Sequence, residues 1–319
     1  MSAQPTVAVI GTFLVDILGR PVGDIPQGQA SVRIEQIRIT AAGSGAGTAV
    51  DLARLGAKVY GVGARSTDVI GTVLAGLLAD EGIDSSLLKV LDGAQTSASM
   101  LPIRPNGDRP ALHVPGINGL VRVSDLTFPA WEGIDGLHLG GVDAMRNLET
   151  TELVGVLKAA KSAGVFVSMD VQSGRPADNR SDILDLLPYV DVFMPNLEQA
   201  QSLVNAVDPE AVLLALLNHG AASVILTLGP DGSLYGSGVE RRRTPVYPVE
   251  VLDTTGCGDA FCAAYLMGAL RGVDVPERLQ LATAAGSLTA TGLGSDAGIV
   301  GWDQLVDYVR AADVRGRLG

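Results

Sequence analysis

The sequence predicts an α/β fold: a mostly parallel sheet with helices on both faces, plus a small antiparallel β lid. Three observations lead there. Short apolar runs rich in β-branched residues alternate with stretches of helical periodicity through most of the chain. Glycine clusters directly follow several of those runs, where the strand-to-helix turns of such sheets lie. Two other segments alternate at period two, as strands with one wet face do.

In chain order, the first strand is VAVIG (Val7–Gly11). ASVRIEQIRIT follows, with Val32, Ile34, Ile37 and Ile39 on an irregular two-residue beat, and belongs to the lid. A helix is expected over Thr48–Leu55, a strand over Val59–Gly63 and a helix over Val69–Glu81. TSASMLPIRPNGDRPALHV reads as two more lid strands joined by the turn Pro105–Asp108, which puts the lid at about 19–40 and 95–116. Strands at Gly136–Gly140, Val165–Asp170, Val190–Asn196 and Ser223–Gly229 alternate with helices at Glu149–Ala163, Leu197–Val204 and Pro209–His219. Strand-like pieces come next, then helices from Asp259, near Pro276–Leu288 and near Trp302–Ala311. One domain over residues 1–319 is expected, with the lid over the carboxyl ends of the strands.

Hydrophobic residues make up 47% of the 319 and charged ones 18%, which excludes general disorder. The net charge of −12 leaves no basic footprint for nucleic acid, and Arg241–Arg243 reads as a solvated face. Cys257 and Cys262 form neither a metal spacing nor a disulfide framework, so a reducing compartment fits. MSAQPTVAVIGTF has no basic segment ahead of its strand, and no apolar run approaches a membrane span. A soluble, cytoplasmic protein is expected, with no membrane partner.

The stretch DTTGCGDAF (Asp253–Phe261) opens a helix whose Phe261, Ala264, Tyr265, Leu266 and Ala269 recur at helical spacing before Gly272. Glycines at its mouth leave backbone N–H groups open, which favours an anion. Asp259 would repel that anion, unless it faces a second molecule that must lose a proton to attack it. Similar glycine clusters lie at Ala41–Thr48, Gly140–Asp143 and Thr227–Ser233. There is no Walker-type Gly-Lys-Ser/Thr, and GSGAG is not the dinucleotide fingerprint.

Together these clusters resemble the ribokinase-like (PfkB) family of carbohydrate and nucleoside kinases, through nearly the whole chain. DTTGCGDAF is similar to the family signature D-T-x-G-A-G-D-x-F, with Cys257 in place of an alanine. The resemblance implies that Asp259 is the catalytic base and that the amides of Gly256, Cys257 and Gly258 form an anion hole. TLGPDGS is similar to T-x-G-x-x-G, which implies that Thr227, Gly229 and Gly232 line the nucleotide. Asp16 in GTFLVD matches an aspartate that binds sugar hydroxyls, Gly43 lies in the substrate-side glycine cluster, and VPGIN places Asn118 in a substrate segment. ATP and Mg²⁺ are implied, with Asn196 and Gln199 organising water on the metal. A K⁺ site is implied beside Asp253 and Thr255, against Ala290–Gly298.

The departures from the family pattern are as informative. Gly47 stands where the family has a substrate-binding asparagine, and Gln199 stands where N-x-x-E has its glutamate, with Glu198 displaced by one. MDVQSGR is only loosely similar to D-x-N-x-R, and Arg175 is one residue late. Cys257, at a helix N-terminus, is expected to have a depressed pKa. His138, on an apolar strand, reads as packed, and His113 and His219 have no partner at suggestive spacing. The expectation is a kinase transferring phosphoryl from ATP to a primary hydroxyl of a small sugar, with a nucleoside as the second substrate class. Its rival is a catalytically weak sugar- or nucleotide-binding regulator. The apolar face of the lid strands predicts a homodimer formed through the lid.

Overall fold

Strands and helices alternate along the chain of this computed structural model, which describes residues 4–172, 180–294, 297–299 and 301–316. The order is β1 (Thr6–Gly11), β2 (Leu14–Arg20), β3 (Gln36–Ala42), α1 (Ser44–Arg54), β4 (Lys58–Arg65), α2 (Val69–Asp80) and β5 (Leu88–Val90). Next come β6 (Ala98–Pro102), β7 (Leu112–Val114), β8 (Gly136–Gly140), α3 (Thr150–Ser162), β9 (Phe166–Met169) and α4 (Arg180–Leu186). The rest are β10 (Val192–Phe193), α5 (Leu197–Leu203), α6 (Pro209–Asn218), β11 (Ser223–Thr227), β12 (Ser233–Ser237), β13 (Arg241–Thr244), α7 (Cys257–Leu270), α8 (Val275–Thr289) and α9 (Trp302–Gly316).

Nine strands form the large sheet, in the order β13-β12-β11-β10-β9-β8-β1-β4-β5. Every pair from β5 to β11 is parallel, and β12 and β13 extend the edge antiparallel. A central parallel strand is covered on both faces, so β1 buries residues of both parities. Val7 and Val9 enter a core shared with α1, α7 and α8, while Ala8 and Ile10 enter one shared with α3 and α6. Side-chain caps fix several helix starts: Asp68 accepts from Gly71 N at 2.7 Å, Asp208 from Ala211 N at 3.0 Å and Asp274 from Glu277 N at 2.9 Å. Among the described residues no helix is long and apolar enough to cross a membrane.

The lid is the second sheet, ordered β3-β2-β6-β7. Its outer pairs are antiparallel, and β2 joins β6 in parallel. Within the expected segment 19–40 the strands fall at its two ends: β2 starts at Leu14 and β3 at Gln36, so Val32 and Ile34 lie in the connection. Asp16, Ser99 and His113 share one face by register, whereas Ile17, Ile39, Met100 and Leu112 share the other. Under the inner face, Leu18, Leu101, Ile103 and Leu293 form a small core with Leu252. The lid is thereby packed onto the loops flanking α7 and α8.

Two further differences from expectation have physical reasons. α1 starts at Ser44, four residues before the expected Thr48. Its glycines are a packing device: a Cβ on Gly45 would meet the Thr12 carbonyl at 2.8 Å, and one on Gly140 would meet Gly45 N at 2.7 Å. Close approach of backbones thus sets where this helix lies, against its weak intrinsic propensity. β10 is two residues long rather than seven, since the chain leaves the sheet at Met194 to reach the cap of α5.

Candidate active site

Strand β1 has β4 on one side and β8 on the other, so the strand order reverses here and opens a crevice beyond the carboxyl ends. The N-termini of α1 and α7 converge on it. Gly256 caps α7 with φ 79°, a left-handed conformation that glycine adopts without strain, and no side chain caps that end. The first-turn N–H groups of Cys257, Gly258 and Asp259 therefore lack intrahelical partners, and that of Cys257 makes only a long bond, 3.4 Å, to the Thr254 carbonyl. A Cβ on Gly258 would meet nothing within 4 Å, so this end is open to approach.

Two cavities meet at Thr227, Thr254 and Gly258. The first is polar and acidic, lined by Asp16, Gly43, Ser44, Asp170, Gln172, Asn196, Gln199, Thr255, Gly256 and Asp259, with Arg109 reaching in from the lid. The second is an apolar slot lined by Gly229, Gly232, Val246, Tyr247, Val251, Cys257, Phe261 and Ala290. Hydrogen-bonding side chains and an apolar surface therefore lie on opposite sides of one helix N-terminus.

Asp259 lies in the first turn of α7, half-buried and pressed against α1. A Cβ on Gly47 would stand 2.3 Å from Asp259 Oδ2 and 2.9 Å from its Cγ. Gly47 is thus the surface on which this carboxylate rests. Burial first, then the neighbouring carboxylates of Asp170 and Asp51, raise the Asp259 pKa well above the usual range, and Arg109 opposes the rise. Asp170 is also raised, by burial, although its Oδ1 accepts from Gly141 N at 2.8 Å. Burial lifts Asp16 to about 6, against the hydrogen bond from Ser99 and the charge of Arg109.

The expected site residues separate clearly. Asp16, Gly43, Asn196, Gln199, Thr227, Thr255, Gly256, Gly258 and Asp259 line the acidic cavity, and Gly229, Gly232 and Cys257 line the slot. Asn118 lies off both walls, because its side-chain amide donates to the Phe13 carbonyl at 3.0 Å and so ties the lid connection to the sheet. Asn196 and Gln199 form a reciprocal capping box at the start of α5, each side-chain oxygen accepting a backbone N–H at 2.8 Å. Asp253 is buried and clips two loops together: its Oδ1 accepts from Thr255 N at 3.0 Å and its Oδ2 from Gly294 N at 3.0 Å. Ser295 and Asp296, like Arg175, lie outside the described residues.

Cys257 overturns its expectation. Burial, with the nearby carboxylates of Asp253, Asp259 and Asp51, pushes its thiol up to about 12, outweighing Arg109 and the helix terminus. His138 is buried as expected: its Nδ1 lies 2.9 Å from Ser168 Oγ, and burial lowers its pKa to about 3, so it is neutral. Arg109, Asp170 and Asp51 stand at this site without belonging to the expected set. For Asp51 a signal existed, an acid inside the apolar helical run TAVDLARL. For Arg109 there was none.

Comparison with known proteins places these features in company. The model of the pfkB family carbohydrate kinases matches residues 4–300. The chain is 26% identical over 315 residues to the ribokinase of Haemophilus influenzae, covering 97% of this chain and all of that one. It is 26% identical over 269 residues to fructokinase-1 of Oryza sativa subsp. japonica, covering 79% and 83% of the two chains. Among solved structures, Arabidopsis thaliana ribokinase with ribose and ATP superposes with TM-score 0.78 at 23% identity, covering 96% and 99%. Adenosine kinase of Sinorhizobium meliloti does so with TM-score 0.81 at 23% identity, covering 97% and 100%.

Proposed function

The chain belongs to the pfkB family of carbohydrate kinases, and on that premise we propose that it transfers the γ-phosphoryl group of ATP to a primary hydroxyl of a small sugar. The observation that carries this is the position of Asp259 at the uncapped start of α7, where the acidic cavity and the apolar slot meet. The sugar hydroxyl attacks the γ-phosphorus, its proton passes to an Asp259 oxygen, and the bond to the bridging oxygen breaks to release ADP. Asp259 has a raised pKa, which suits a group that must take up a proton during the reaction. The N–H groups of Gly256, Cys257 and Gly258 meet the charge on the equatorial oxygens, and such fixed donors need no reorganisation.

Asp16 and Gly43 face the sugar, and Thr227, Gly229 and Gly232 face the nucleotide. None of the described residues lining the acidic cavity is aromatic, which favours a sugar over a nucleoside, whose base needs a flat apolar surface. Among the described residues no group of three or more His, Cys, Asp or Glu could hold a metal, so the donor set fits Mg²⁺ arriving with the nucleotide phosphates. Asn196 and Gln199 would hold its waters through the lone pair that each amide oxygen keeps beyond the capping box. Bound there, the metal supplies charge neutralisation between the phosphates.

The outer face of the lid exposes Ile37, Ile39, Met100, Leu112 and Val114, which supports a homodimer through this face. A monomer in sedimentation at micromolar concentration would refute that part. The function itself is tested by a panel of sugars and nucleosides with MgATP, read by ADP release. Turnover on a sugar is expected. Binding of sugar and ATP without turnover on any acceptor would make the protein a regulator instead.

A further inference from the structure

The register of the lid sets three polar side chains abreast. Asp16 on β2 lies opposite Ser99 on β6, and Ser99 lies opposite His113 on β7, so all three share the inner face. Neighbouring strands stand about 5 Å apart, within reach of short side chains. His113 Nδ1 lies 3.1 Å from Ser99 Oγ, and the Ser99 side chain hydrogen-bonds that of Asp16. Sequence spacing offers His113 no partner, yet the sheet supplies one on the adjacent strand.

A hydroxyl has one proton, and an ionised carboxylate can only accept. Ser99 therefore donates to Asp16, and its oxygen accepts from His113, which assigns the Nδ1–H tautomer to that ring. Asp16 and Ser99 are buried, whereas His113 is exposed. The row thus runs from the lid surface to a carboxylate in the acidic cavity. Burial lowers the His113 pKa, so at neutral pH the ring is uncharged and acts through its N–H. Charges from other elements also face Asp16: Arg109 on the lid loop, Asp253 before α7, and Asp259 on α7. Those charges favour or oppose ionisation without orienting the carboxylate, whereas a hydrogen bond does both. A serine hydroxyl left to itself turns among several acceptors. His113 occupies its lone pair and leaves Asp16 as the direction for its proton.

Resting on the kinase reading above, we propose that Ser99 and His113 are positioning residues for the acceptor. His113 fixes the Ser99 hydroxyl, and the hydroxyl fixes the Asp16 carboxylate so that its remaining lone pairs meet the hydroxyls of the sugar. Neither residue touches the reacting atoms, so their effect falls on acceptor affinity and not on transfer. The same hydrogen bond stabilises the ionised carboxylate, and it thereby sets the pH at which the acceptor site forms.

The test is steady-state kinetics from pH 5 to 8 on a sugar that the wild type turns over. In Ser99→Ala, KM for the sugar should rise about tenfold at pH 8, where the carboxylate is ionised in both proteins, as losing a hydrogen bond to a charged group predicts. The midpoint of the KM–pH profile should move up by about one unit, because the lost bond favoured the ionised form. Turnover should stay within about threefold. His113→Leu should move KM and midpoint the same way but less, with KM up about threefold. His113→Asn, whose amide N–H can replace Nδ1–H, should return both to wild-type values. Ser99→Ala combined with His113→Leu should match Ser99→Ala alone, since His113 acts only through the hydroxyl. His113 is exposed, so its variants decide the matter should Ser99→Ala fail to fold. With an active wild type, an unmoved KM in Ser99→Ala overturns this inference and leaves the kinase reading intact. A raised KM with an unmoved midpoint also overturns it, since loosened packing alone would give that. Losses that multiply in the double variant overturn it too, because His113 would then reach the acceptor by another route. A wild type inactive on every acceptor overturns the kinase reading, and this inference with it.

Discussion

Replacing Gly47 by alanine is a sharp probe of the site, because it adds one methyl group directly against the proposed base. The new Cβ would lie 2.3 Å from Asp259 Oδ2, whereas ordinary contact begins near 3.4 Å, so the carboxylate must retreat by about 1 Å. A misplacement of that size at a reacting group costs about 10²-fold in rate. Stability should move little. Gly47 has no positive φ, so alanine is sterically allowed in α1 and gains about 1 kcal/mol of helix propensity. That gain offsets part of the crowding: the Asp259 carboxylate can turn away, while its Cβ, at 3.1 Å, must give by a few tenths of an ångström. The assay pairs steady-state kinetics with urea unfolding of both proteins. Turnover should fall about 10²-fold while the unfolding free energy stays within about 2 kcal/mol. Wild-type turnover in a folded Gly47→Ala would mean that the carboxylate is not the base, or does not rest on α1 during the reaction.

Three further outcomes follow from the charges and loops of the site. Asp16 is held at about 6, above its unfolded value, so its burial as a carboxylate costs stability progressively as pH climbs from about 4 to about 6. If the Asp16 carboxylate accepts the sugar hydroxyls as proposed, KM for the sugar should fall as pH rises through about 6; a KM flat from pH 5 to 8 would count against Asp16. Cys257, at about 12, should be alkylated by iodoacetamide on the order of 10³-fold more slowly than a free thiol at pH 7, and more slowly still with MgATP bound. Mass spectrometry showing equal labelling with and without nucleotide would argue against a phosphate site at that loop. Asp253 clips the signature loop to Gly294, so a K⁺ bound beside it would be held by backbone carbonyls near 253–255 rather than by this carboxylate. Turnover should therefore be higher in K⁺ than in tetramethylammonium, and equal rates would remove the cation.

What could be read from the sequence was what has a local cause. β1 and β8 were legible because central parallel strands are continuous apolar runs. The start of α7 was legible because an open helix N-terminus needs a residue like Gly256 ahead of it. What escaped was set by distant packing. β2 was hidden because Asp16 and Gly19 interrupt its pattern, and only β3 and β6 on either side make it a strand. Gly47 read as a lost substrate contact, yet its role is to make room for a side chain more than 200 residues away. Cys257 departs from expectation because a helix terminus is visible in sequence while burial among three carboxylates is not. Arg109 had no pattern to betray it, since one arginine after a turn looks like any other solvated residue.

The claim on which the account stands is that Asp259 takes the proton from the sugar. Asp259→Asn keeps the shape and some of the hydrogen bonding but removes the proton acceptor, and general-base catalysis supplies about 10²–10⁴-fold. The measurement is turnover of the wild type and of Asp259→Asn on the same sugar, with calorimetry of MgATP and sugar binding to each. The account predicts that turnover falls by that factor while both ligands still bind, since the anion hole is backbone and Asp16 is untouched. Undiminished turnover in a folded Asp259→Asn would contradict it.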